Sequence, residues 1–66
     1  MLSVERTREM YPQGTKVKLI RMEGEPQMPI GLIGEVQFVD DAGQIHVNWE
    51  NGSSLALVEG DSWDIV

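Results

Sequence analysis

From Gly14 onward the chain alternates apolar and polar positions in short runs separated by turn residues. "TKVKLIRM" sets Val17 and Leu19 against Lys16 and Lys18, and "GEVQFVD" sets Val36 and Phe38 against Glu35 and Gln37. "QIHVNWE" sets Ile45, Val47 and Trp49 against Gln44, His46 and Asn48; "SSLALV" carries Leu55 and Leu57, and an "EGDS" turn leads into "WDIV". A period of two, bounded by Gly, Pro, Asn and Asp, predicts half-buried strands. Five short strands within residues 14–66 cannot make two full sheets, so the pattern predicts a small, strongly bent all-β barrel. Residues 1–13 stand apart. "LSVERTREMYP" is the one helical candidate: Ser3 can cap it, Glu5 lies in its first turn, and Pro12 discourages helix at Tyr11. Val4 and Tyr11, one heptad apart, would press one side of it onto the core. A helix this short forms only if it docks.

Register follows from the connections. An Asn-Gly pair usually marks a two-residue hairpin. Here that loop would put Leu55 and Leu57 on the face of His46 and Asn48, losing on the order of 1.5–3 kcal/mol of burial for each leucine. A three-residue loop, Glu50-Asn51-Gly52, with Gly52 at positive φ, instead sets Trp49 against Ser53, Val47 against Leu55 and Ile45 against Leu57. Trp49 is then a core wedge. For Phe38 and Val36 to face Ile45 and Val47, the preceding connection must be even, and "DDAG" (40–43) supplies four residues. The outward row predicted by this register (Glu35, Gln37, Gln44, His46, Asn48, Ser54, Ala56 and Val58) is polar and free of aromatic rings. Trp63 is expected in the core or at its rim, and Tyr11 is the aromatic expected to be partly exposed.

Composition narrows the function classes. With 66 residues there is room for one domain, and with no cysteine there is neither a disulfide nor a thiolate metal site. Eleven acids face five bases, a net charge of −6. That sign weighs against duplex nucleic acid and anionic membranes, whose binders neutralise phosphate. It is compatible with a basic partner, but plain solubility is the stronger reading. No apolar run approaches the ~20 residues of a membrane span. The N-terminal stretch carries acids where a secretory signal has a basic start, so a cytoplasmic protein is the expectation.

Candidate chemistry is sparse. His46 is the sole histidine. The predicted register surrounds it with Gln37 and Ala56 and supplies neither a nucleophile nor an orienting acid, so it reads as a solvated strand residue. Asp40 and Asp41 read as turn residues, without calcium-loop spacing. No catalytic, cofactor-binding or metal-ligating residue is assigned, and none of these groups is expected. The long loop over 22–33 is the feature best suited to recognition. Met22, Glu23, Glu25, Pro26, Met28, Pro29 and Ile30, with Tyr11, are its candidate partner contacts. Packing of this loop onto the barrel competes with that reading. Gln37, His46 and Asn48 form a candidate polar outer face.

"YPQGTKVKLIRM" and "GLIGEVQFVDDAGQIHVNWENGSSLALVEGD" closely resemble the family known as domain of unknown function 4314, small bacterial and phage-associated proteins. The resemblance spans about residues 4–66, is most specific over "VDDAGQIHVNWENGSSLAL" and is weakest over "EGEPQMPIG". It implies an SH3-like barrel with a long first loop, a meander and a short helical turn before the last strand, and it carries over no activity, cofactor or catalytic residue. With the residue pattern, the expected fold is a five-stranded SH3-like barrel over 14–66 after a short N-terminal helical or frayed segment, 1–13. The resulting expectation is a non-catalytic protein-interaction or adaptor module, monomeric or weakly homodimeric, with another protein as partner. The alternative is a nucleic-acid-related role on a mobile element. In that case the chain is a single-strand binder using Lys16, Lys18, Arg6 and Arg8, or an acidic DNA mimic.

Overall fold

The computed structural model describes residues 3–22, 24–25 and 27–66. Its elements are α1 (Val4–Met10), β1 (Lys16–Arg21), β2 (Ile33–Val39), β3 (Ile45–Trp49) and β4 (Ser62–Ile65). The strands form one antiparallel sheet in the order β3-β2-β1-β4. The fold is mostly β with one short helix, as the alternation predicts.

The helix forms because its ends are satisfied and its side is docked. Ser3 Oγ accepts the Arg6 amide at 3.1 Å, an N-cap, and Glu5 occupies the first turn. Val4 and Tyr11 pack against the buried cluster. Arg8, on the same side of the helix, fastens it further: Nε donates to the Val39 carbonyl at 3.1 Å and a terminal nitrogen reaches Asp41 Oδ1 at 2.8 Å.

The three-residue connection at Asn51–Gly52 is present. Gly52 donates to the Trp49 carbonyl, Trp49 N donates to the Ser53 carbonyl at 2.9 Å, and Gly52 has φ +87°. Ile45 pairs with Leu57, as that register requires. Trp49 is 3% exposed and lies across from Gly34. A Cβ at Gly34 would sit 2.7 Å from Trp49 Cε3 and closer still to Val47, so only glycine leaves room for the indole.

Two expectations are corrected. The connection after β2 has three residues, Asp41-Ala42-Gly43, rather than four: Asp40 N donates to the Gln44 carbonyl, and Gly43 closes the turn at φ +85°. Such an odd loop alone would pair Val39 with Ile45 and leave Val36 out of phase. A bulge at Gln37 absorbs the difference, so that Val36 opposes Val47, Val39 opposes Ile45 and both valines are buried. Phe38 is turned to the other face, 55% exposed.

The expected fifth strand is the second correction. Among the described residues, 53–58 contribute one bridge, at Leu57, and the sheet stays open. Leu55 should pair with Val47, but side chains occupy its backbone groups. The Trp49 indole N–H donates to the Leu55 carbonyl at 2.9 Å, and Ser53 Oγ accepts the Leu55 amide at 3.3 Å. The wedge that fixes the register thus interrupts the ladder. Between β1 and β2, Met22 and Met28 are buried in the core.

Candidate binding groove

Leu57 leads through a turn at 58–61 into β4, and the open seam of the sheet forms a groove there. Its volume is about 550 Å³. The floor is apolar, with Ile45 and Leu57 of the core. Helix α1 supplies Val4, Thr7 and Tyr11 to one wall; Ala42, Gly43 and Gln44 come from the first hairpin, and Val58, Glu59 and Trp63 complete the rim. An apolar cleft with few polar groups is the usual form of a recognition site. Among the described residues Glu59 is the one charged residue of the lining, and it is exposed.

Tyr11 and Trp63 meet edge to face, with centroids 6.0 Å apart and planes at 62°. Each comes from a segment with a different anchor. Tyr11 closes the helix C-terminus, its amide donating to the Thr7 carbonyl, and Trp63 opposes Leu19 on edge strand β4. Both rings are half-buried. The indole N–H of Trp63 is sealed from solvent and finds no acceptor among the described residues. Leaving a buried donor unpaired costs about 1–3 kcal/mol.

A second arrangement lies on the opposite face of the sheet. Phe38 stacks on His46, with centroids 4.2 Å apart and planes within 9° of parallel. His46 Nε2 lies 2.9 Å from Asp40 Oδ2, while Asp40 Oδ1 accepts the amides of Ala42 and Gln44. Hydrogen bonding from His46, then from the Gln44 amide, holds the Asp40 carboxyl below its ordinary value. The imidazole is thereby oriented by an acid, which the expected surroundings of His46 lacked. The expected absence of aromatic rings from this face is also corrected. Lys16 and Lys18 share the face, Lys16 Nζ lying 3.2 Å from Glu35 Oε1 and Lys18 sitting opposite Asp64.

The candidate contacts of loop 22–33 disperse. Met22 and Met28 are core residues, Glu25 accepts from Gln27 Nε2 at 2.6 Å, and Pro29 and Ile30 are exposed, Ile30 at 80%. Glu23 and Pro26 lie outside the described residues. Tyr11 belongs to the groove instead. Gln37 is the bulged residue, half-buried, with its amide on the Glu35 carbonyl at 3.2 Å, and Asn48 is exposed. Sequence reasoning passed over Val58, Glu59 and the Asp40–His46 pair. The pair had a readable signal: a turn-opening Asp and a His six positions later meet across a short hairpin.

A family model described as Domain of unknown function (DUF4314) matches residues 2–66. The chain belongs to this family. The DUF4314 match takes in α1, the first hairpin and β4, so it spans every wall of the groove. No curated protein and no solved structure matches the chain. Among the described residues of this DUF4314 chain, no helix is long and apolar enough to cross a membrane.

Proposed function

We propose that the chain is a non-catalytic interaction module, an SH3-like barrel left open along one seam, and that the seam receives a partner protein. The groove carries this reading: an apolar floor is flanked by two half-buried aromatic rings, one with a donor that has no partner among the described residues. Loop 22–33 is a weaker contact surface, because its methionines serve the core. The test is capture from native-host extract by immobilised protein. Val58→Arg, in the groove rim, is expected to abolish recovery of a specific partner, and Ile30→Arg, in the loop, to leave it intact. The reverse pattern moves the contact to the loop.

A second reading is favoured by one observation, the Phe38–His46 stack on the face that bears Lys16 and Lys18. Stacked rings beside cations are the means by which single-stranded nucleic acid is held. The net charge of −6 opposes it. A gel shift with single-stranded oligonucleotides at low salt, where the phosphate contribution is largest, decides. A retarded band lost on Phe38→Ala supports the reading, and no band at low salt removes it.

A further inference from the structure

We infer that the groove is built for an extended partner segment that is both apolar and positively charged. The inference rests on the interaction-module reading and adds the chemistry of the occupant. Three features lead to it.

Charge comes first. The lining contains Glu59 and no cation. Arg8, on the helix that forms one wall, is spent on Val39 and Asp41, and Lys16 and Lys18 project from the opposite face of the sheet. A partner entering the groove therefore meets a carboxylate on a chain of net charge −6, and no cation is among the described residues that line it. Shape and polarity come next. Ile45 and Leu57 floor the groove and Val58 is exposed at its edge, so aliphatic side chains gain by displacing water there. The unpaired indole is the third feature. The Trp63 N–H needs an acceptor, and a peptide carbonyl is one that an extended segment presents along its length. Because the N–H is sealed from solvent, this bond requires the Trp63 ring to turn toward the groove when the segment binds. A cationic ammonium group would not satisfy it, so the positive charge belongs beside Glu59 and the backbone beside Trp63.

The chain contains its own control. Trp49 donates to Leu55 from the core, whereas Trp63 donates to nothing among the described residues. Nitrogen-15 spectra resolve two indole signals, one for each ring. The probes are three synthetic octapeptides: Leu and Val residues flanked by Lys, the same peptide with Glu for Lys, and the Lys peptide with Ser for Leu and Val. The cationic apolar peptide is expected to move the Trp63 indole and the amides of Val58 and Glu59, leaving the Trp49 indole in place. Glu59→Lys is expected to weaken it about two- to fivefold, the range of an exposed ion pair.

Equal binding of the acidic or the serine peptide overturns the inference, as does the absence of shifts at the groove. Groove shifts that grow with protein concentration alone also overturn it, since the occupant is then a second copy. Capture from host extract separates the two levels. If Val58→Arg abolishes capture while no peptide binds, the occupant's chemistry is wrong and the module reading stands. If capture ignores Val58→Arg, the module reading itself falls.

Discussion

The two edges of the sheet each carry a tryptophan, and the residues solve opposite problems. On β3, Trp49 is enclosed, stands over Gly34 and has its N–H on the Leu55 carbonyl. On β4, Trp63 is half-buried against Tyr11 and its N–H has no partner among the described residues. One indole is sealed into the core and takes a carbonyl that a further strand would need. The other lies where the sheet stays open. A fold this small has a marginal core, so leaving one edge unfinished is costly unless something else completes it. On the proposed reading, the difference separates a residue that holds the fold from a residue that would face a partner.

The sharpest way to break this comparison is to empty the first site. Trp49→Ala is expected to cost about 3–5 kcal/mol. That approaches the whole stability of a chain this size, roughly 3–10 kcal/mol at 0.05–0.15 per residue. Urea unfolding monitored by far-ultraviolet circular dichroism should find it largely unfolded, and Gly34→Val should behave alike, since its side chain would enter the space of Val47 and Trp49. Conservative replacement sharpens the contrast. Trp49→Phe strands the Leu55 carbonyl and should cost about 1–3 kcal/mol, whereas Trp63→Phe removes an already unpaired donor and should fall within about 0.5 kcal/mol of wild type. Equal losses for the two would mean that both indoles are structural.

The turn that seats Trp49 offers a smaller effect. Gly52 at φ +87° tolerates no Cβ without strain, so Gly52→Ala should lower the urea midpoint by the equivalent of about 1 kcal/mol. The smallest effect is the pH response of the first hairpin. The Asp40 carboxyl is lowered in the folded chain, so the folded state binds that proton less readily than the unfolded one. Its contribution is present above about 3.9, the ordinary aspartate value, and is lost as pH falls through the depressed folded value. Asp40→Asn should therefore flatten the acid limb of a stability–pH curve below about pH 4, with little change at neutrality. An unaltered acid limb would show that the bond to His46 is not maintained in solution.

How much could be read in advance divides along the same edges. Around Trp49 the sequence carried two independent constraints, a glycine able to take positive φ and a pair of leucines that had to be inside, and together they determined the loop. Around Phe38 only the alternation was available. Alternation cannot register a bulge: inserting Gln37 exchanges Phe38 for Val39 at the core face, and both are apolar. The four-residue turn was inferred from a parity that the bulge had already changed. The groove was hidden for a different reason. Its walls come from residues 4–11, 42–45 and 57–63, which no sequence spacing connects. The loop over 22–33 drew attention by its prolines and methionines, yet the methionines were filling the core of a small domain.

The most direct test is to add the captured partner to the nitrogen-15-labelled chain and follow the two indole signals. Movement of the Trp63 indole with the Val58 and Glu59 amides, while the Trp49 indole keeps its position, is the predicted result. A partner that shifts Phe38 and His46 or the amides near Ile30 instead, and leaves Trp63 untouched, would contradict it.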